Sequence, residues 1–282
     1  MRQGSYRPRT ARVIAVTSGK GGVGKTNIAV NCAIEMARLG LRVIILDVDL
    51  GLANIDVVMD LRARYNLGHV IRGEKRIRDI LVSAGGAVSV VPGASGLVEL
   101  ANMTDGQRDN LIRSFDALSS LADLLVVDTG AGVSRNVLGF AGAADEVVVV
   151  ATPEPTSITD AYATIKLLNR EQYRGRIDLV VNMVSSAGEA GRVAARIVKV
   201  AMQFLRERVY YIGHVERDSA VTSAVARRRP FVIEYPRSRA ADQVRRLAAV
   251  LAENGALSVA GASGAAQGVP GGFIKRLFRV FG

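Results

Sequence analysis

Residues Gly19-Lys20-Gly21-Gly22-Val23-Gly24-Lys25-Thr26 fill the pattern G-x-x-x-x-G-K-[ST] at every position. An apolar run, Val13 to Val16, precedes them, and a helix-like stretch, Ile28 to Leu39, follows. A strand, a glycine loop and a helix in that order make a phosphate-binding loop. Its glycines let successive N–H groups turn toward one anion, and the helix that opens near Lys25 adds the positive end of its dipole. The pattern places Lys25 on the β- and γ-phosphates of a nucleoside triphosphate and the Thr26 hydroxyl on Mg²⁺. Asn27, the next residue, belongs to the same expected site.

The rest of the chain repeats the alternation. Strand-like runs are expected at Arg12–Thr17, Arg42–Asp47, Val88–Val91, Leu124–Asp128, Glu146–Ala151, Ile177–Asn182 and Val209–Ile212. Most are unbroken Val/Ile/Leu stretches, as in parallel strands buried on both faces. Helical patterns fill the gaps at Lys25–Leu39, Asp105–Ser120, Ser134–Gly142, Ser157–Glu171, Gly188–Arg208, Asp218–Arg227 and Arg237–Glu253. The alternation predicts an α/β fold with a single doubly wound, mostly parallel sheet and helices on both faces. Ligands of such sheets sit at the carboxyl ends of the strands. The glycine loop, Asp47, Asp49, Asp128, Pro153 and Asn182 all fall just there.

Four segments are expected. Residues 1–11 form a basic arm and 12–253 the α/β domain. Residues 254–272, rich in Gly, Ala and Ser, read as a flexible linker. Residues 273–281 form a short amphipathic helix. Nothing resembles a signal peptide, and no run of 18 apolar residues predicts a membrane span. The single cysteine, Cys32, excludes an internal disulfide and reads as a core residue. A net charge of +11 suits an anionic partner but does not choose one. His69 and His214 fit no metal-ligand pattern.

Several residues after later strands suggest hydrolysis. Asp128 closes Leu124-Leu125-Val126-Val127 and is placed to hold a water on Mg²⁺; capping the next helix is its ordinary alternative. Asp47 and Asp49 are two apart, so their side chains share one side of a strand. One could orient the attacking water and the other support the metal shell, or either could cap a helix. Lys20 is the unusual residue, because the common loop needs no lysine there. It could act in trans on a partner's triphosphate, as arginine fingers do, or add cation density to its own phosphates.

The run Lys20-Gly-Gly-Val-Gly-Lys25-Thr26 resembles the deviant Walker A motif of MinD/ParA ATPases, and the likeness extends from Arg12 to Phe281. Within that family, several strings are similar to the flagellar-number branch, the FlhG (FleN, YlxH) group. They are Asp49-Leu-Gly-Leu-Ala-Asn54-Ile-Asp56, Asp79-Ile-Leu-Val, Val91-Pro92-Gly93-Ala-Ser-Gly96 with Glu99-Leu-Ala-Asn102, Asp128-Thr-Gly-Ala-Gly132, and Thr152-Pro153-Glu154-Pro155-Thr156-Ser157-Ile-Thr159-Asp160-Ala-Tyr162.

The resemblance implies an ATP- and Mg²⁺-dependent hydrolase that pairs on binding ATP. Lys20 would reach the other subunit's nucleotide, Lys25 would hold phosphate and Thr26 the metal. Asp49 would position water, Asp128 would act in the second switch, and Asn182 would read adenine. The implied partners are flagellar: an FlhF-type GTPase, switch-ring proteins and a flagellar transcription regulator. Two departures stand out. Glu216 replaces the usual proline of the base-binding loop, and Met1–Thr10 lacks the helix with which many FlhG proteins stimulate FlhF.

The tail completes the expectation. Phe273, Ile274, Leu277, Phe278 and Phe281 fall on one helical face, with Lys275, Arg276 and Arg279 opposite or at its flanks. Bulky apolar residues beside cations on a short helix are the mark of an interfacial membrane segment, and this one resembles the MinD-type targeting helix. A helix docked on its own domain, or on a partner, is the alternative. The reading is a cytoplasmic ATPase that cycles on an anionic membrane and sets flagellar number or placement. A MinD-like division-site ATPase and a ParA-like DNA-binding partition protein are the rivals, and the tail argues against DNA.

Overall fold

The computed structural model describes residues 11–49, 55–93, 104–119, 121–260 and 270–281. Eight strands form one sheet: β1 (Arg12–Ser18), β2 (Val43–Val48), β3 (Val82–Ser83), β4 (Val88–Val91), β5 (Leu124–Ala131), β6 (Glu146–Ala151), β7 (Arg176–Val184) and β8 (Val209–Glu216). Their order is β3-β4-β2-β5-β1-β6-β7-β8. Every pairing is parallel except β3 with β4. The central strands are apolar on both faces because both faces are covered: every residue of β2 and of β6 is buried. β1 lies between β5 and β6, where the winding reverses, and its carboxyl end opens into the glycine loop.

Each face of the sheet has its own core. On one, Ile28, Ala33 and Met36 of the helix Lys25–Arg38 pack with Val244, Leu247 and Leu251 of the helix Arg239–Ala260. On the other, Leu111 and Phe115 of the helix Asp105–Ser119 meet Phe140 of the helix Arg135–Ala143. Helices Pro155–Arg170 and Ala187–Leu205 continue that layer. Cys32 is buried in the first core, where burial and then the charge of Glu35 push its thiol up to about 12. It is a packing residue.

The expected linker is shorter than its composition suggested. The helix expected to end at Glu253 runs on to Ala260, and a last helix starts at Pro270. Alanine and leucine carry it past the glycine at 255, since a single Gly costs only about 1 kcal/mol in a helix. Residues 261–269 of the predicted linker, and the basic arm 1–10, lie outside the described residues.

The helix Pro270–Phe281 is docked on its own domain. Phe273, Ile274 and Leu277 are buried in the core formed with Leu111, Phe115 and Phe140. The Phe273 and Phe115 rings are 6.1 Å apart, and the Arg108 guanidinium stands 5.5 Å from the Phe278 ring. Arg276 donates to the Ala143 carbonyl at 2.7 Å and to Asp145 at 2.8 Å. The face expected to meet lipid is therefore covered by protein in this conformation. The side chains of Lys275, Arg279 and Phe281 lie outside the described residues.

At the amino-terminal end of the sheet, β6 and β7 bring Glu146 beside Asp178. Arg12 and Asn254 hold Glu146, and Arg176 donates to Asp178 Oδ1 at 2.8 Å. Asp178 Oδ2 is buried without an acceptor or donor of its own. Burial, with Glu146 next to it, pushes the Asp178 carboxyl up to about 8, so the folded chain carries a proton on Asp178 at neutral pH. The unfolded carboxyl ionises near pH 4. Between those values the folded chain binds more protons than the unfolded one, so stability falls as pH rises. Asp178→Asn keeps the shape of the protonated form. It is expected to raise the melting temperature at pH 9 and to leave it nearly unchanged at pH 5. A thermal melt at the two pH values checks this, and an equal shift at both would contradict it.

Candidate active site

The glycine loop has the geometry that its spacing predicts. Gly22 and Gly24 take φ of 78° and 84°, values that side-chain-bearing residues rarely adopt. A Cβ on Gly24 would overlap the Asn182 amide. The helix behind the loop starts at Lys25 without a side-chain cap, so its first N–H groups are left for an anion. Val23 is buried and anchors the loop, while Gly21 and Gly22 are exposed. Asn27 gives its carbonyl to the Asn31 amide. Gly132, at φ 93°, donates its N–H to the Ser18 carbonyl at 2.9 Å, which ties the loop after β5 to the start of the glycine loop.

The two lysines of the loop diverge. Lys25 turns inward: it is buried, with Nζ 2.8 Å from Asp128 Oδ1. Lys20 turns outward, with Nζ 2.5 Å from Glu154 Oε2 and 3.1 Å from Thr156 Oγ1. Sequence reasoning missed these two acceptors as site residues. They lie in the string Thr152 to Tyr162, but nothing in its spacing aims them at position 20.

Asp47 and Asp128 face each other across paired strands β2 and β5, and both are buried. Burial, and then Asp128, push Asp47 up to about 7. Asp128 is also raised by burial, against the pull of Lys25 and the Thr26 hydroxyl. Asp47 has a further duty, because it accepts the N–H of Asp49 at 3.0 Å and of Ile55 at 3.3 Å. It thereby clips both ends of the segment that carries Asp49. Residues 50–54 of that segment lie outside the described residues, as do 94–103 of the branch-specific strings. Asp49 is half-buried near Gly130.

Asn182 ends up against the loop. One of its amide hydrogens goes to the Val23 carbonyl at 2.8 Å. Glu216 closes β8, where Arg239 at 2.7 Å and the Gln243 amide hold it. His69 and Asn66 form the amino-terminal cap of a short helix, Leu67–Ile71, and His214 contacts Tyr211; both are structural.

The donor set fits Mg²⁺. Asp128 Oδ2 is buried without a hydrogen-bond partner, and two crowded carboxylates would be eased by a cation. Among the described residues no three carboxylate, imidazole or thiol side chains form a metal cage.

A family profile for ParA, an iron-transfer P-loop NTPase of the NUBPL type, matches residues 9–252. The chain belongs to the ParA family of P-loop NTPases. The antiactivator FleN of Pseudomonas aeruginosa is 45% identical over 237 residues, 84% of each chain. The flagellum site-determining protein YlxH of Helicobacter pylori is 34% identical over 276 residues, 96% of this chain and 91% of that one. The fold is shared with the septum site-determining protein MinD of Pyrococcus horikoshii, solved with Mg-ADP, at a TM-score of 0.71 and 20% identity over 86% of this chain and 96% of that one. The resemblance to the flagellar branch of MinD/ParA proteins is thus borne out. No helix among the described residues is long and apolar enough to cross a membrane.

Proposed function

We propose that this chain is an ATPase that pairs on binding ATP, attaches to the inner face of the cell membrane while paired, and regulates the number or placement of flagella. The divergence of the two loop lysines carries the reading. Lys25 is committed to the chain's own phosphate site, whereas Lys20 leaves it at the surface. A cation aimed outward from a phosphate loop serves a second subunit's triphosphate better than its own. The names borne by FleN and YlxH supply the flagellar context.

Within one site, ATP draws Lys25 from Asp128 onto the β- and γ-phosphates. A bound Mg²⁺, held by Thr26 with Asp128, Asp49 and Asp47 around it, would neutralise charge on those phosphates. Asp49 orients the attacking water, and Asp47 keeps Asp49 in place through its backbone. Asn182 offers its carbonyl oxygen to the adenine amino group.

The docked tail adds a condition. Its apolar face must leave the groove before it enters a bilayer, and one short helix binds lipid weakly. Two tails on a pair gain from effective concentration, strengthening attachment by about 10²-fold or more. The purified protein is expected to sediment with vesicles of anionic lipid in ATP and Mg²⁺, and to stay in solution in ADP. Equal sedimentation in both nucleotides would overturn the cycle. Deletion in the source cell should change flagellar counts without producing minicells.

A further inference from the structure

A band of positive charge lies on the face of the sheet that carries the docked tail. Residues 62–79 hold six cations, Arg62, Arg64, Arg72, Lys75, Arg76 and Arg78, against two acids, Glu74 and Asp79. The acids already have partners. Glu74 takes Arg72 at 2.6 Å, and Asp79 takes the N–H of Arg76 at 3.1 Å. Arg62, Arg64 and Lys75 form no ion pair among the described residues. Lys75 is half-buried and the five arginines are exposed.

The band is held in place. Its middle is the short helix Leu67–Ile71, capped by Asn66 and His69. The Leu67 N–H donates to the Pro92 carbonyl at 3.1 Å and ties it to the end of β4. Tyr65 packs half-buried on the core, with its ring 5.3 Å from that of His69. Lys75 stands 4.4 Å and Arg64 5.3 Å from the centre of the Tyr65 ring. Leu67, Val70, Ile71 and Ile77 enter the same core as Phe273, Ile274 and Leu277 of the tail. The helix Asp105–Ser119 touches both: Asn110 donates to the Val70 carbonyl at 3.2 Å, and Arg108 meets Phe278. A single helix therefore links the band to the tail.

We infer that this band is a second membrane contact, made by the folded domain: its cations rest on anionic lipid headgroups once the tail has entered the bilayer. The inference rests on the membrane attachment proposed above and adds a surface to it. A cluster of four to eight cations beside an amphipathic helix is the pattern that anionic lipid recognises. The tail alone would hold the domain by a tether, whereas the band would set one face of it against the surface. That face also needs cover. When the tail leaves, the floor of its groove, with Leu111 and Phe115, is bared on the same side as the cations, and apolar surface beside cations suits a bilayer boundary. A nucleic acid fits less well. Single strands are held by bases stacked on open aromatic faces, and the Tyr65 ring is half-buried with two cations over it.

The triple variant Arg62→Gln, Arg64→Gln, Arg76→Gln removes three exposed charges and leaves the nucleotide site and the tail untouched. Full-length protein, with a non-hydrolysable ATP analogue and Mg²⁺, is titrated with vesicles of phosphatidylglycerol in phosphatidylcholine. Attachment should weaken about fivefold for each cation lost, and the difference from wild type should shrink as salt is raised. The matching triple Arg→Lys variant keeps the charge and should attach as wild type does. Pairing in solution should be the same in all three proteins. Wild-type attachment in the Gln variant overturns the inference and leaves attachment by the tail intact. If that variant loses binding to duplex DNA instead, the band belongs to nucleic acid. Weakened attachment in the Lys variant, or attachment lost together with pairing, also overturns it. A wild-type protein that binds no vesicles overturns the membrane reading itself, and this inference with it.

Discussion

Lys25→Ala is expected to abolish ATP turnover and to weaken the fold together. Lys25 is the cation beside Asp128, itself fully buried next to Asp47. Without Lys25, two buried carboxylates face each other with only a hydroxyl and backbone N–H groups for company. Breaking a buried pair by removing one partner costs about 3–5 kcal/mol when the other charge is stranded. Asp128 can escape part of that cost by taking a proton, which its burial already favours. The variant's Asp128 then has a folded pKa raised further, so the folded chain binds the extra proton and its stability falls as pH rises. The loss measured by urea unfolding should be larger at pH 8 than at pH 5. Adding Asp128→Asn should return most of the stability and none of the turnover. Phosphate release should drop by about 10²- to 10³-fold, the scale of losing one preorganised donor to a developing charge. Wild-type melting together with wild-type turnover in Lys25→Ala would remove the basis for placing the phosphates here.

Asp49→Asn should separate hydrolysis from binding. Asp49 is half-buried, its backbone N–H is fixed by Asp47, and Gly130 leaves room beside its carboxylate. The amide keeps the shape of the side chain and removes only its charge, so the change should spare nucleotide affinity, within about tenfold, while kcat falls by about 10²- to 10⁴-fold, the usual share of a positioned acid or base. The paired state should then persist in ATP, with vesicle attachment that no longer decays as nucleotide is consumed. Turnover near the wild-type rate would shift the water-positioning role to another group. The carboxamide is nearly the size of the carboxylate, so a folding defect is not expected to blur the result.

Much of this architecture was legible because buried parallel strands write themselves as unbroken Val/Ile runs. β4 and β6 begin and end where those runs do. Other strands run past their apolar stretch: β5 through Thr129, Gly130 and Ala131, β7 to Val184, and β8 to Glu216. Main-chain pairing continues there beneath residues whose polarity signals a loop. β3 escaped notice because it is two residues long and is returned by Gly85 and Gly86 at positive φ. The places of Lys25 at the start of its helix and of Asp128 on β5 were readable because one local motif, or one strand, fixes each. The berth of Lys20 was not, since its acceptors lie more than a hundred residues away and only the order of β1 beside β6 brings them near. Periodicity likewise marked the apolar side of the tail. It did not say whether lipid or protein would cover that side, because a helical wheel carries no information about what packs on it.

The groove beneath the last helix sets a trap for anyone who shortens the chain. Phe115, Leu111 and Phe140 stay dry because Phe273, Ile274 and Leu277 lie over them. Protein trimmed before Pro270 would present those rings to water and would stick to itself in any nucleotide. Aggregates of that origin would mimic a nucleotide-independent dimer and would say nothing about Lys20.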